Sequence, residues 1–315
     1  MYAIDFSSHI IPKEIVKEFK FVSYAKIDPN NYDPEYRIKL MGKYNISVQV
    51  IHLAQTQIYG LDPIKAENLC KKVNDIISSI VNKYPQRFVG SGIVTLYDIG
   101  FAIDELNRLY NDLGLKCVTI ATHYGEKSLD YSEYRPFFQK ISSLGIPIFL
   151  HPINWEGYGL VEDSKDPGFM RTFGWPFDTT QAIWKMIVSG LLDEYPNLKI
   201  VTHHLGGMFP FYKLRAYYRL YHEGFGKNLK RDFYDYFGKQ IFADTAIDGG
   251  SVEILMTGYS LFGSKGILFG SDWPFVNEEL SIINNIRAIE LLPLTKEEKE
   301  NILWRNAKDI LKIDI

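Results

Sequence analysis

Apolar residues in this chain gather in short β-branched runs separated by longer amphipathic stretches, and the two patterns alternate from one end to the other. Runs such as Ala3-Ile4-Asp5-Phe6, Ile146-Pro147-Ile148-Phe149-Leu150, Lys199-Ile200-Val201-Thr202 and Gly266-Ile267-Leu268-Phe269 read as parallel strands buried on both faces. Strands are predicted near residues 3–8, 46–53, 88–94, 116–121, 146–150, 198–203, 240–244 and 266–270. Helical periodicity fills the intervals at Pro63 to Tyr84, Ile99 to Leu113, Tyr131 to Leu144, Asp178 to Tyr195 and Phe209 to His222. Tyr84-Pro85 and Tyr195-Pro196 mark helix ends, because proline disfavours helical geometry in the residue before it. Alternating strands and helices imply a parallel sheet with right-handed crossovers, and eight repeats suit closure into a TIM-like (β/α)8 barrel of the α/β class. An open doubly wound sheet is the alternative. It would prefer a glycine-rich phosphate loop after the first strand, and Ser7-Ser8-His9-Ile10-Ile11-Pro12 is not one.

No repeat, low-complexity tract or charge block divides the chain, so residues 1–315 are read as one barrel domain. Two long connections, 20–43 and 152–177, are rich in turn-forming residues and follow strands that lead toward the candidate site. Connections of that length are usually lids or binding walls. Thr295-Lys296-Glu297-Glu298 resembles a capping box and predicts a structural C-terminal helix.

Composition narrows the function classes. A chain of 315 residues with 46% hydrophobic residues can bury a large core. The net charge of -3 is too small to favour nucleic acid or an anionic membrane as a partner. No stretch reaches the roughly 20 apolar residues of a spanning helix, and Met1-Tyr2-Ala3-Ile4-Asp5 lacks the basic flank of a leader, so a cytoplasmic protein is expected. Cys70 and Cys117 have neither disulfide nor metal spacing and read as reduced, buried thiols.

Chemistry concentrates just past the apolar runs. His9, His151, His204 and Asp272 each follow one, and polar groups beyond the carboxyl ends of parallel strands are how a barrel assembles an active site. A catalytic zinc-like ion needs about three nitrogen or oxygen ligands and an open position, a minimum that His9, His151 and Asp272 meet. Manganese, cobalt or iron suits the same donors. Each residue also has a structural reading: His9 as a cap of the first helix, His151 as a hydrogen-bonded strand end, Asp272 as the cap of a helix near Asn277. His203 and His204 are adjacent on an extended segment and should face opposite ways. His204 is therefore assigned to chemistry as general acid or base, and His203 to a supporting position or the wall. His123 ends the fourth strand and either faces substrate or bonds its loop. Asp244 ends the seventh and either orients a ligand histidine or caps a helix. His52 could line the barrel mouth, whereas His222 and Arg215 are most simply surface residues. The aromatic stretches Trp155 to Tyr158 and Phe173 to Phe177, Trp175 included, point to a planar, partly apolar ligand.

Several blocks carry a resemblance to a known family. Ile4-Asp5-Phe6-Ser7-Ser8-His9, Ala121-Thr122-His123-Tyr124-Gly125, Phe149-Leu150-His151-Pro152, Trp175-Pro176-Phe177-Asp178-Thr179-Thr180, Thr202-His203-His204-Leu205-Gly206-Gly207-Met208-Phe209-Pro210, Phe269-Gly270-Ser271-Asp272-Trp273-Pro274 and Arg305-Asn306-Ala307 follow one another along nearly the whole chain. The ordered set resembles the amidohydrolase superfamily, in particular its aminocarboxymuconate-semialdehyde decarboxylase-like branch. The resemblance implies a divalent metal, usually zinc, held at the positions of Ser7, His9, His151 and Asp272, with the first ligand missing because Ser7 stands where the family has histidine. It implies that His204 activates a water or donates a proton, and that Arg215 reaches a substrate carboxylate across a dimer interface. The activity implied is metal-assisted nonoxidative decarboxylation of a small unsaturated or aromatic carboxylic acid. Hydrolysis or hydration of a related acid, including metal-independent lactone hydrolysis, is the nearest alternative, and a noncatalytic binding barrel with a decayed metal site is the alternative of another class. The vacancy beside Ser7 is expected to hold water, to weaken metal binding, and to accept a histidine substituted at position 7, since residues two apart on a strand share a face. A homodimer is expected from the aromatic helix Phe209 to Tyr221.

Overall fold

In the computed structural model, residues 2–19, 29–153 and 167–314 are described. Eight parallel strands, β1 (Ala3–His9), β2 (Ile46–His52), β3 (Phe88–Ile93), β4 (Cys117–Ala121), β5 (Ile148–His151), β6 (Ile200–Thr202), β7 (Ile241–Asp244) and β8 (Ile267–Leu268), pair in sequence order. The chain beyond β8 closes the ring against β1. Phe6 N donates to Phe269 O at 2.8 Å, Asp272 N to Ser7 O at 2.9 Å and His9 N to Trp273 O at 2.8 Å. Eight parallel strands closed in this way and wrapped by helices make a (β/α)8 barrel, as the alternating pattern predicts.

Among the described residues the α-helices of five residues or more are α1 (Pro34–Lys43), α2 (Pro63–Lys83), α3 (Ile99–Asn111), α4 (Arg135–Leu144), α5 (Trp175–Val188), α6 (Phe209–His222), α7 (Val252–Phe262), α8 (Asn284–Leu291), α9 (Lys296–Glu300) and α10 (Asn306–Leu311). Two of them occupy chain that the turn-rich composition assigns to loops. α1 starts where the Asp33 carboxylate accepts from Glu35 N and Tyr36 N, with Pro34 at the first helical position, where proline's missing N–H costs nothing. α5 continues a helical turn over Met170–Gly174, and Pro176 sits in its first turn for the same reason. The stretch Trp155 to Tyr158 lies outside the described residues. The helical pattern predicted from Asp178 to Tyr195 is interrupted after Val188, where Gly190 takes a left-handed φ of 75°, and resumes as one helical turn over Leu191–Glu194. At the C-terminal end the Thr295–Glu298 capping box forms as the sequence predicts.

Ile4, Phe6, Val48, Val50, Val89, Phe149, Val201, Phe242 and Leu268 fill the barrel interior, and Ala307, Ile310 and Leu311 of α10 pack against them. The amino end of the barrel is thereby sealed with apolar side chains. A separate, larger apolar layer lies between the strands and the helices. What is left for polar groups is the carboxyl end.

Candidate metal centre and active site

Six strand ends deliver imidazoles and carboxylates to one place. His9, His52 and His151 are the last residues of β1, β2 and β5, Asp244 is the last of β7, and His203 and Asp272 lie just beyond β6 and β8. The His9 and His151 rings are 5.3 Å apart, and His9 Nε2 lies 2.8 Å from Asp272 Oδ1. The three residues with ligand chemistry in the sequence are therefore neighbours in space.

A break in strand pairing between Asp5 and Ser8 shapes the β1 end. Phe6 packs on Phe149 inside the barrel, while the next residue, Ser7, brings its hydroxyl within 3.5 Å of His203 Nδ1. An irregularity of this kind re-aims side chains where strict alternation would turn one outward.

The loop after β6 departs most from expectation. An extended segment would separate His203 and His204, but His204, Leu205, Gly206 and Gly207 all have positive φ, at 54°, 53°, 80° and 67°. The reversal brings both imidazoles to the same side, with ring centroids 3.7 Å apart. His204 Nε2 lies 3.9 Å from Asp272 Oδ2, and its ring stacks on Trp175 at 6.1 Å and 7°. His203 is fully buried, with Nδ1 2.6 Å from Asp244 Oδ2 and Nε2 3.4 Å from Asp272 Oδ1. The His203 ring lies in the space expected to hold water beside Ser7, because extended His203 follows Val201 on the inward face of the strand.

Burial lowers the basicity of His9, and burial together with neighbouring imidazoles lowers that of His52 and His151 strongly. Burial would lower His203 too, but the Asp244 and then the Asp272 carboxylates push it up to about 10. Burial raises the Asp272 carboxyl, yet the His203, His204 and His9 side chains outweigh it and hold the group well below the ordinary carboxylate range. Neutral imidazoles beside an ionised carboxylate form the donor set that a divalent cation requires. Both ring nitrogens of His9 are buried and lack a hydrogen-bond partner, although one lies close to Asp272. Orphaned buried nitrogens of this kind are costly unless something binds them, so the residues present fit a metal ion.

Other predicted residues take different places. His123 Nδ1 is 2.9 Å from Gly125 O, and its other nitrogen is 3.6 Å from Asp178 Oδ1. Arg215 stands on the exposed side of α6, 5.8 Å from the Tyr212 ring centroid, and His222 stacks on Tyr218 at 5.0 Å.

Three supporting residues escape a reading based on strand ends. Arg37 of α1 is buried and donates to the His9 carbonyl, to Ser8 Oγ at 2.9 Å and to Gln49 Oε1 at 3.2 Å, with its guanidinium 4.5 Å from the Trp273 ring. Asp5 accepts from Ser271 N at 2.8 Å, Ser271 Oγ at 2.7 Å and Gln49 Nε2 at 3.0 Å, which fixes the backbone beside Asp272. Asp178 accepts from Thr122 Oγ1 and from Ile153 N, tying the β4 and β5 ends together. The Asp33-Pro34 helix-start signal is what locates Arg37.

Comparison with known proteins agrees with this architecture. The chain is 30% identical over 303 residues to the 2-amino-3-carboxymuconate-6-semialdehyde decarboxylase of Dictyostelium discoideum, covering 92% of this chain and 80% of that protein. It is 29% identical to a gamma-resorcylate decarboxylase of a Rhizobium species, covering 88% of this chain and 86% of the relative. A crystal structure of a dihydroxybenzoic acid decarboxylase from a Polaromonas species, with bound manganese and 2-nitroresorcinol, superposes with a TM-score of 0.83 at 23% identity, covering 99% of this chain and 97% of that one. At that identity the superposition speaks for the fold. The amidohydrolase family model matches residues 4–313, and with the collinear motifs that run from β1 to the segment after β8 it shows that the chain belongs to the amidohydrolase family, in its aminocarboxymuconate-semialdehyde decarboxylase-like branch.

Proposed function

We propose that this chain is a divalent-metal-dependent enzyme that decarboxylates a small aromatic or unsaturated carboxylic acid without oxidation. The observation that carries the reading is the convergence of His9, His151 and Asp272, with buried His9 nitrogens that lack a hydrogen-bond partner, beside a histidine stacked on an aromatic ring. The named activities of the relatives support the reaction class. When bound, a divalent ion supplies Lewis acidity that neutralises substrate oxyanions. Zinc and manganese both suit these donors, and the manganese in the Polaromonas structure favours testing the two together.

The chain's own groups account for the remaining chemistry. Trp175 offers a flat face against which His204 is held in one orientation, and a planar substrate ring fits alongside. His204 delivers a proton to the ring carbon that carries the carboxylate. The carbon–carbon bond then breaks, its electron pair returns to the ring, and carbon dioxide leaves. Water reprotonates His204. Positioned acid–base groups typically contribute a factor of about a hundred to ten thousand.

The remaining finer readings belong here as well. Phe211, Leu214 and Tyr218 are exposed on α6 around Arg215, and an apolar helix face with an arginine at its centre suits a homodimer in which Arg215 meets the partner's substrate carboxylate. Cys70 and Cys117 are buried and unpaired, which suits a reducing cytoplasm. Among the described residues no helix is long and apolar enough to cross a membrane.

The test is a panel of hydroxybenzoates and unsaturated dicarboxylates, incubated with protein stripped of metal and then reloaded with zinc or manganese. Carbon dioxide release that depends on added metal supports the proposal. Loss of the acid by hydrolysis or hydration, with its carboxylate retained, overturns it.

A further inference from the structure

We infer that His203 takes the ligand place that Ser7 leaves open, so that the metal centre is His9, His151, His203 and Asp272. The inference rests on the metal-dependent reading above and deepens it. Ligand-capable atoms of His9, His151 and His203 all lie within 4.8 Å of one another, and those of His203, His204 and Asp272 form a second such group. His203 belongs to both. Its ring lies 5.3 Å from that of His151 at 30°, and 5.8 Å from that of His9.

The surroundings of His203 are those of an oriented ligand. Asp244 Oδ2 holds Nδ1 at 2.6 Å, while Asp244 Oδ1 is itself anchored by His204 N at 3.0 Å and Ala246 N at 3.2 Å. A carboxylate on one imidazole nitrogen fixes the ring and directs the other nitrogen toward the ion. That other nitrogen, Nε2, is the one beside Asp272.

Space follows the same logic. Ser7 Oγ is 3.5 Å from His203 Nδ1, so position 7 and the His203 ring share one pocket. Gly270 walls the pocket so closely that a Cβ there would stand 2.9 Å from Ser7 Cβ and 3.0 Å from Asp244 Cβ. A histidine at position 7 and one at position 203 therefore compete for the same room. The extended His203 faces inward in step with Val201, whereas the left-handed residues that begin at His204 bring that ring against Trp175, so the two adjacent imidazoles, 3.7 Å apart, have different partners.

Two measurements test the assignment. X-ray absorption on the zinc-loaded wild-type protein should count three imidazoles; two would overturn the inference while leaving a metal-dependent enzyme intact. Competition with a chelator should show zinc bound at least a hundredfold more weakly by His203→Ala, with recovery to within about tenfold in the double variant Ser7→His, His203→Ala, because the second histidine refills the vacated room. Unchanged affinity in His203→Ala, or a folded double variant that does not recover, overturns the inference. A wild-type protein that binds neither zinc nor manganese overturns both this inference and the proposed function.

Discussion

Trp175 and His204 face each other with rings only 7° from parallel and centroids 6.1 Å apart, although one opens α5 and the other follows β6. The stack holds an imidazole whose Nδ1 is buried without a hydrogen-bond partner. His204→Ala is expected to retain bound metal and to lose turnover by about a hundred- to ten-thousandfold, as removal of a general acid does. Metal analysis alongside steady-state kinetics checks this, and parallel loss of metal and activity would make His204 a ligand instead. Trp175→Leu should raise KM and lower kcat together, by roughly tenfold in kcat/KM, which corresponds to about 1.4 kcal/mol.

Gly207 sets the loop that makes this arrangement. Its φ is 67°, and an added Cβ would collide with the Pro176 carbonyl oxygen. Gly207→Ala is expected to destabilise the fold by about 2 kcal/mol or more, since the strained backbone and the close contact act together. Denaturant unfolding gives the number. A variant as stable as wild type would show that the loop can shift without cost.

Asp178 should give the protein a pH-dependent stability. Burial raises its carboxyl from the ordinary 3.8 to about 7, against the lowering effect of the Thr122 and Ile153 hydrogen bonds. The folded state therefore holds a proton that the unfolded state releases. This contribution favours folding fully below about pH 4 and is lost as pH rises through about 7, by up to about 4 kcal/mol. Asp178→Asn keeps an oxygen for Thr122 and Ile153 but cannot ionise. Its stability relative to wild type should improve from pH 5 to pH 8, as read by urea unfolding; a constant difference would refute the linkage.

Asp5 connects the two ends of the barrel seam by accepting both the amide and the hydroxyl of Ser271, the residue before Asp272. Asp5→Ala leaves the Ser271 amide and Gln49 Nε2 without this acceptor inside the barrel, and the Ser271 hydroxyl with the Ser7 carbonyl at 3.4 Å. The expected loss is about 2–4 kcal/mol of stability together with weaker metal binding. Thermal unfolding with and without zinc separates the two effects.

The exposed face of α6 can be tested directly. Phe211 and Leu214 are each about three-quarters exposed. If they form the dimer interface, Phe211→Asp with Leu214→Asp should give a monomer by light scattering at micromolar concentration. A wild-type monomer would remove the proposed role of Arg215 across the interface.

The strands were legible because each is a buried apolar run, and both the alternating plan and the C-terminal cap are written in local patterns of hydrophobicity and capping. The start of α1 has the composition of a loop, crowded with asparagine, aspartate, proline and tyrosine, although Asp33 followed by Pro34 is itself a helix-start signal. His9, His151 and Asp272 could be grouped from sequence since each ends or follows a run. The relation between His203 and His204 could not. It depends on four successive left-handed residues, two of them not glycine, which packing against α5 imposes and local preference opposes. Arg37 was invisible for a similar reason, being a charged residue buried only because Ser8, Gln49 and the His9 carbonyl await it.

The seal formed by α10 has a bearing on biosynthesis. Ile310 and Leu311 complete an apolar cluster whose first members are Ile4 and Phe6, so the floor of the barrel joins the first strand to a helix that follows the last. A ribosome delivers all eight strands before it delivers that floor. Until α10 emerges, the inner ends of the strands present Ile, Val and Phe side chains to water, a surface that invites chaperones or self-association. Truncation just before Asn306 should therefore yield a chain that collects in aggregates while still containing every residue of the metal centre.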